Sequence, residues 1–138
     1  MTSNRNNIFV DTNVLNGFYL ERTADVECLK YLFSLKGKKL FISSLSIGQL
    51  VAFFHKKFEN EQIRKIVRYL LTKFTIIEFN EQDIEKTLFY DYSDLEDTIQ
   101  YVIGTKMKCF YFVTNDKHFR IFRNISVLKP SEIRKIKK

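Results

Sequence analysis

Five short apolar runs punctuate the chain, and stretches with helical spacing lie between them. The runs are I-F-V at 8–10, L-F-I at 40–42, F-T-I-I-E-F at 74–79, C-F-Y-F-V at 109–113 and S-V-L at 126–128. They are too short to show polar alternation, which suits strands buried on both faces of a parallel sheet. Between them, Val14, Leu15, Phe18 and Tyr19 fall on one helical face, as do Val26, Leu29, Leu32 and Phe33. Ile47, Leu50, Val51 and Phe54 form a third stripe after Ser43 and Ser44, which offer an N-cap. Ile63, Ile66, Val67, Leu70 and Leu71 form a fourth. A helix is predicted from about 81 to 89, another after Asp94, and a terminal one from Pro130 and Ser131. Strands alternating with helices predict an α/β/α sandwich around a mostly parallel sheet.

Nothing divides the chain. With 138 residues and no linker, repeat or low-complexity stretch, residues 1–138 read as one domain. Only 4 Gly and 1 Pro argue against a loop-rich sandwich, and 45% hydrophobic residues argue against disorder. Cys28 and Cys109 are too far apart for a metal-ligand spacing and too few for a disulfide framework, so both read as reduced core thiols. No signal peptide opens the chain and no run approaches the ~18 apolar residues of a membrane span, so a soluble, cytoplasmic protein without membrane contact is expected.

Charge is unevenly placed. Residues 80–100 hold seven of the 16 acids and one base, which leaves 22 bases against nine acids elsewhere. A basic body around one acidic patch suits a polyanionic ligand that meets carboxylate-held cations, although a charged surface tuned for solubility accounts for the same balance.

The acids at strand ends carry the chemistry. In parallel α/β sheets, ligands sit beyond the carboxyl ends of the strands. Asp11 directly follows the first run, and Asp116 follows the fourth through Thr114 and Asn115. Asp94 and Asp97 are three apart, on one helix face, with Ile99 and Val102 turned into the core and Glu96 off that face. Like charges at ~4 Å repel by about 4 kcal/mol at an effective dielectric of 20, so such carboxylates need a counter-charge. Oxygen-only ligands suit Mg²⁺ or Mn²⁺, cations that activate water and stabilise a leaving oxygen in phosphodiester cleavage. Each acid also has a plainer reading: Asp11 and Asp94 as helix caps, Asp116 as a turn residue.

Five segments in order then resemble the PIN domain, a family of metal-dependent ribonucleases. They are I-F-V-D-T-N-V-L, F-I-S-S-L-S-I-G-Q-L-V, D-L-E-D-T-I-Q-Y, F-V-T-N-D-K-H-F and the closing S-V-L-K-P-S-E-I. The third is similar to a subgroup reading close to D-F-E-D-A-I-Q-Y. The resemblance implies a five-stranded parallel sheet, metal ligands at Asp11, Asp97 and Asp116, and an extra acid at Asp94. It makes the Asn13 amide and the Thr114 hydroxyl supports of the site, with Asn115 beside them. One position departs: Gln49 stands where the family usually has its second acid, which removes one negative charge.

The leading expectation is a Mg²⁺- or Mn²⁺-dependent endoribonuclease. The resemblance implies a VapC-type toxin with RNA as substrate, a small antitoxin as partner and a homodimeric state. Lys56, Lys57, the face from Arg64 to Arg68, Lys117, Arg120, Arg123 and the tail bases are candidates to guide the RNA backbone. A PIN fold that binds RNA or protein without cleaving is the alternative that Gln49 favours. A nuclease acting on DNA flaps shares the chemistry, but such enzymes carry added arch regions for which this chain has no room.

Overall fold

The apolar runs pair side by side as one parallel sheet. The computed structural model describes residues 3–138. Its strands are β1 (Asn4–Val10), β2 (Lys39–Ser43), β3 (Thr75–Ile77), β4 (Cys109–Val113) and β5 (Ser126–Leu128), in the order β3-β2-β1-β4-β5, every pair parallel. The helices are α1 (Thr12–Tyr19), α2 (Thr23–Ser34), α3 (Ser44–Phe54), α4 (Asn60–Lys73), α5 (Glu81–Leu88) and α6 (Leu95–Lys106). Among the described residues no helix is long and apolar enough to cross a membrane.

Alternate residues of each strand serve opposite layers. Ile8, Val10, Leu40, Ile42 and Val113 pack with Leu15, Leu29, Leu32, Leu50, Phe54 and Leu70 of α1–α4. Phe9, Phe41 and Phe112 face the other way, onto Tyr101 and Ile103 of α6 and onto Phe119 and Phe122. Cys28 and Cys109 are free and buried, one in each layer. The α/β/α sandwich expected from the alternation is therefore the observed architecture.

Differences from the expected elements have local causes. β1 begins at Asn4 rather than Ile8, because its polar start lies on the protein edge, where Asn4 N–H donates to the Lys108 carbonyl (2.7 Å) and Arg5 stacks on Phe110. β3 ends at Ile77, shorter than the run, since Asn80 and Asp83 form a capping box that starts α5. The expected terminal helix is a 3-10 segment, Pro130–Lys135, whose Ile133 is buried against the α2 layer. Just beyond it the Ile136 carbonyl accepts from the Tyr31 hydroxyl (2.6 Å). A second 3-10 segment at Lys117–Ile121, absent from the sequence expectation, turns the chain directly after β4 and Asp116.

The order of strands reverses between β1 and β4, so their carboxyl ends flank the crevice where open α/β sheets bind ligands. α6 crosses the sheet close to it because residue 104 is glycine: a Cβ there would collide with the Phe112 ring and sit 3.2 Å from Phe9 Cγ. Gly104→Ala is expected to lower stability by about 1–3 kcal/mol through overpacking, against the ~1 kcal/mol that alanine adds to a helix. Urea unfolding measures it, and a midpoint above wild type would show that the helix can lift without cost.

Candidate metal centre

Asp11 sits one residue past β1 and is held like a continuation of the ladder. Its N–H donates to the Val113 carbonyl (2.9 Å), so Asp11 and Thr114 lie side by side. Its Oδ1 accepts from the Thr12 N–H (2.7 Å). Its Oδ2 accepts from the Thr114 hydroxyl (2.7 Å) and the Asn13 amide (2.9 Å). Burial pushes this carboxyl above the usual carboxylate range, opposed by the Thr114 and Thr12 hydrogen bonds and reinforced by Asp116 and Glu96.

Thr114 joins two of the acids. Its single hydroxyl proton goes to Asp11, and its oxygen accepts from the Asp116 N–H (3.0 Å) and more weakly from Asn13 (3.3 Å). Asp116 caps the 3-10 segment, accepting from the His118 N–H (2.9 Å). Asp94 caps α6, accepting from the Asp97 N–H (3.0 Å). The plain cap and turn readings of Asp11, Asp94 and Asp116 thus describe real contacts, and those contacts aim the carboxylates. Helix N-termini also favour negative charge, which lowers the local cost of gathering it.

The acids are brought together unevenly. Asp94, Asp97 and Asp116 each offer a carboxylate oxygen, and these lie within 4.8 Å of one another. Asp11 lines the same cleft, about 350 Å³ in volume, with Gln49, Glu96, Asp97 and Asp116, while its own oxygens are taken up by the three donors above. Asp97 is buried, and its Oδ2 has no hydrogen-bond partner. Burial and then the Asp116 and Asp94 charges raise its pKa to about 7. Among the described residues the one basic side chain within ion-pair distance of these acids is the His118 imidazole, its Nδ1 3.2 Å from Asp116 Oδ1. An all-oxygen donor set with a buried, unpartnered carboxylate oxygen and little positive charge fits a hard divalent cation such as Mg²⁺ or Mn²⁺.

Gln49 projects from α3 into this cleft, and its Oε1 accepts from the Thr12 hydroxyl (2.8 Å). Thr12 in turn meets Ser46 (2.7 Å) and Gln100 (3.4 Å), so four polar side chains from α1, α3 and α6 share one hydroxyl. Asn115 reaches both Asn13 Oδ1 (3.2 Å from its N–H) and the buried Asp25 (3.0 Å). A Cβ at Gly17 would collide with the Asp25 carboxylate.

Sequence reasoning missed Thr12, Ser46, Gln100 and Asp25. Gln100 follows Asp94 and Asp97 at the same three-residue step, and Ser46 precedes Gln49 by three, so their spacing was a usable signal. Asp25 had none. One expectation is corrected: Glu96, read as lying off the face of Asp94 and Asp97, is exposed and lines the cleft with Asp97. Ile99 packs against the Phe9–Phe112 core as expected, and its half-buried side chain also forms part of the cleft wall. Several candidate RNA-guiding bases also have local partners: Arg64 and Arg68 face Glu61, Arg120 pairs with Glu132, and Arg134 lies over Tyr31.

The profile of the PIN domain family matches residues 8–125. Ribonuclease VapC1 of Aquifex aeolicus (strain VF5) is 30% identical over 127 residues, covering 84% of this chain and 85% of that protein. A toxin-antitoxin complex from Klebsiella pneumoniae has a chain of the same fold, with a TM-score of 0.67 at 19% identity over 91% of this chain and 98% of that one. VapBC2 from Rickettsia felis, bound to a DNA fragment from its promoter, gives 0.64 at 16% identity over 89% and 98%. Those two likenesses concern fold alone.

The raised pKa of Asp97 sets a pH dependence. Folding favours its protonated form, so stability is full below the unfolded value of 3.8 and is lost as pH rises towards about 7. In chelator, the melting temperature is expected to fall across that window, to flatten in Asp97→Asn, and to recover when Mn²⁺ is added. A profile unchanged by Asp97→Asn would show that this carboxyl is not strained by the fold. Thr114→Val, which removes the hydroxyl shared by Asp11 and Asp116, is expected to weaken Mn²⁺ binding ~10- to 100-fold by calorimetry, and Thr114→Ser to keep it.

Proposed function

The chain belongs to the PIN domain family, and on that premise we propose that it is a single-domain, divalent-metal-dependent endoribonuclease. The observation that carries this reading is the Asp97 Oδ2 atom, buried without a partner among carboxylates at the carboxyl edge of a parallel sheet. Mg²⁺ or Mn²⁺ would be held by Asp11, Asp97 and Asp116, with Asp94 bound directly or through water. Such a cation, when bound, supplies an acidified water and charge stabilisation on phosphoryl oxygens.

The chain's own residues do the remainder. The hydroxyl of Thr114 and the amide of Asn13 fix the Asp11 carboxylate, and Asn115 fixes Asn13. Lys117 follows Asp116 on the turn at the cleft mouth, where a cationic side chain suits the RNA backbone. His118 is exposed and needs no catalytic role in this scheme. The likeness to a protein named a ribonuclease and to chains from toxin-antitoxin complexes supports a further proposal, a toxin silenced by a small antitoxin; its cytoplasmic location and homodimeric state are proposed from the family resemblance alone.

A second reading rests on Gln49. Gln49 brings an amide, not a carboxylate, to the cleft that Asp11, Glu96, Asp97 and Asp116 line, and the missing charge lowers cation affinity, which favours a PIN fold that binds RNA or protein without cutting it. Labelled single-stranded RNA separates the two. Cleavage is expected with Mn²⁺, none in chelator, and none detectable in Asp11→Asn at normal fold; intact RNA that stays bound in every condition would sink the enzyme reading. Gln49→Glu adds one charge, worth several kcal/mol at ~4 Å and an effective dielectric of about 20. It is expected to lower the melting temperature in chelator and to tighten Mn²⁺ binding ~tenfold or more. No change in either would mean that residue 49 does not act on the cation.

A further inference from the structure

A larger cleft, about 740 Å³, opens beside the carboxylates and adjoins the first, with Glu96 and Asp97 lining both. Its other walls include Tyr92, Leu95, His118 and Ile121. Leu95 and Ile121 are 54% and 51% exposed, a high value for such side chains. Tyr92 is half-buried and braced from two sides. Phe122 meets its ring edge-on at 4.8 Å, and Tyr90 lies nearly parallel at 5.6 Å. Phe122 is itself stacked flat on Tyr101 at 4.0 Å, so the aromatic group is anchored in the core.

The chemistry of these walls selects an occupant. Neither lysine nor arginine lines the cleft, and its ionisable groups are carboxylates and one histidine. A phosphate is repelled there. A flat, uncharged ring suits a braced tyrosine and two exposed aliphatic side chains, because every nucleobase has a stacking face. A carboxylate not used elsewhere accepts from an amino group, as Asp and Glu do with the cytosine amine. Glu96 is that carboxylate: it is exposed and outside the trio of Asp94, Asp97 and Asp116.

We propose that this cleft is a nucleobase subsite, which takes an unpaired base adjacent to the phosphate at the carboxylate centre and prefers bases with an exocyclic amine. The base packs between Tyr92 and the Leu95–Ile121 side, and its amine donates to Glu96. Uracil lacks that donor and is the disfavoured base. This inference rests on the nuclease reading for the position of the phosphate. It adds a specificity residue, Glu96, and a stacking residue, Tyr92.

The test uses the full chain, Ca²⁺ as a non-cleaving cation, and fluorescent A6, C6 and U6 oligoribonucleotides followed by anisotropy. A6 and C6 are expected to bind more tightly than U6. Leu95→Ala and Tyr92→Ala should weaken A6 binding roughly five- to a hundredfold, the range of one lost base stack, with Tyr92→Phe close to wild type. Leu95→Ala keeps the result readable if Tyr92→Ala unfolds, because Leu95 is exposed. Glu96→Ala should bring the A6-to-U6 ratio towards one while U6 binding holds or improves, as a repelling charge is gone. Equal binding of the three oligonucleotides by wild type, or a ratio untouched by Glu96→Ala, overturns the subsite. So does A6 binding that Leu95→Ala leaves intact, an outcome that would hand the cleft to a protein segment. A protein that cleaves with Mn²⁺ but fails these tests loses the subsite alone. One that shows the base preference but never cleaves loses the nuclease reading and keeps the subsite.

Discussion

The parallel pairing of β1 with β4 is the constraint on which the site depends. Val10 lies opposite Val113, and the next step of the same ladder ties Asp11 N–H to the Val113 carbonyl. Both strands are buried hard on each face, so this register has almost no freedom: a slip by one residue would turn Ile8, Val10 and Val113 out of one layer and Phe9 and Phe112 out of the other. Asp11 and Thr114 are adjacent for that reason and no other. From Thr114 the order spreads to Asp116 through one hydroxyl, and from Asn13 to Asn115 and Asp25 through amides. A pairing made by apolar residues therefore sets polar atoms that never touch the core.

The centre works against folding and is supported from several sides. Three of its acids are N-caps, of α1, α6 and a 3-10 segment, so each carboxylate earns local hydrogen bonds where helix termini favour negative charge. Asp97 has no such support for its Oδ2, and burial, then the Asp116 and Asp94 charges, raise its pKa to about 7. Asp11 is strained as well: burial raises its carboxyl despite the Thr114 and Thr12 hydrogen bonds, so the cost falls on the two most enclosed acids. A cation, as proposed above, would relieve that cost; the same residues stabilise helix starts while their gathered charge opposes the assembled cleft.

Much of this was legible in the residues because the strands leave no ambiguity. Runs such as C-F-Y-F-V suit strands covered on both faces, and their alternation with helices led to a mostly parallel sheet with Asp11 and Asp116 at one edge, although Phe110 and Tyr111 are only half-buried. The step from Asp94 to Asp97 likewise placed both on the cleft side of α6. What stayed hidden was decided by tertiary contact. The polar N-R-N-N start of β1 has no strand pattern, yet it pairs at the protein edge. Asp25 gives no local sign of its role, since only the docking of α2 beneath Asn115 makes it an anchor. Glu96 looked like a solvated charge because exposure and facing a cleft are indistinguishable in one dimension. The unequal roles of Asp94 and Asp11 needed oxygen positions, which no spacing rule supplies.

Gln49 is best understood together with Asp94. An acid at residue 49 would add its charge to a cleft already lined by Asp11, Glu96, Asp97 and Asp116, and would accept the Thr12 hydroxyl in place of the amide oxygen. Asp94 supplies a carboxylate within 4.8 Å of Asp97 and Asp116 from the start of α6 instead. A third carboxylate therefore stands near Asp97 and Asp116 without one from α3, supplied by the cap of the helix that also carries Asp97. The placement has a physical advantage. An N-cap carboxylate is held by its own helix start, whereas a mid-helix acid on α3 would have only the Thr12 hydroxyl to order it. It also leaves the Thr12, Ser46 and Gln100 network uncharged, so three helices meet at the cleft floor through neutral hydrogen bonds that do not change with pH or cation. In the nuclease proposed above, the amide at 49 would shift the cation towards α6 rather than remove it.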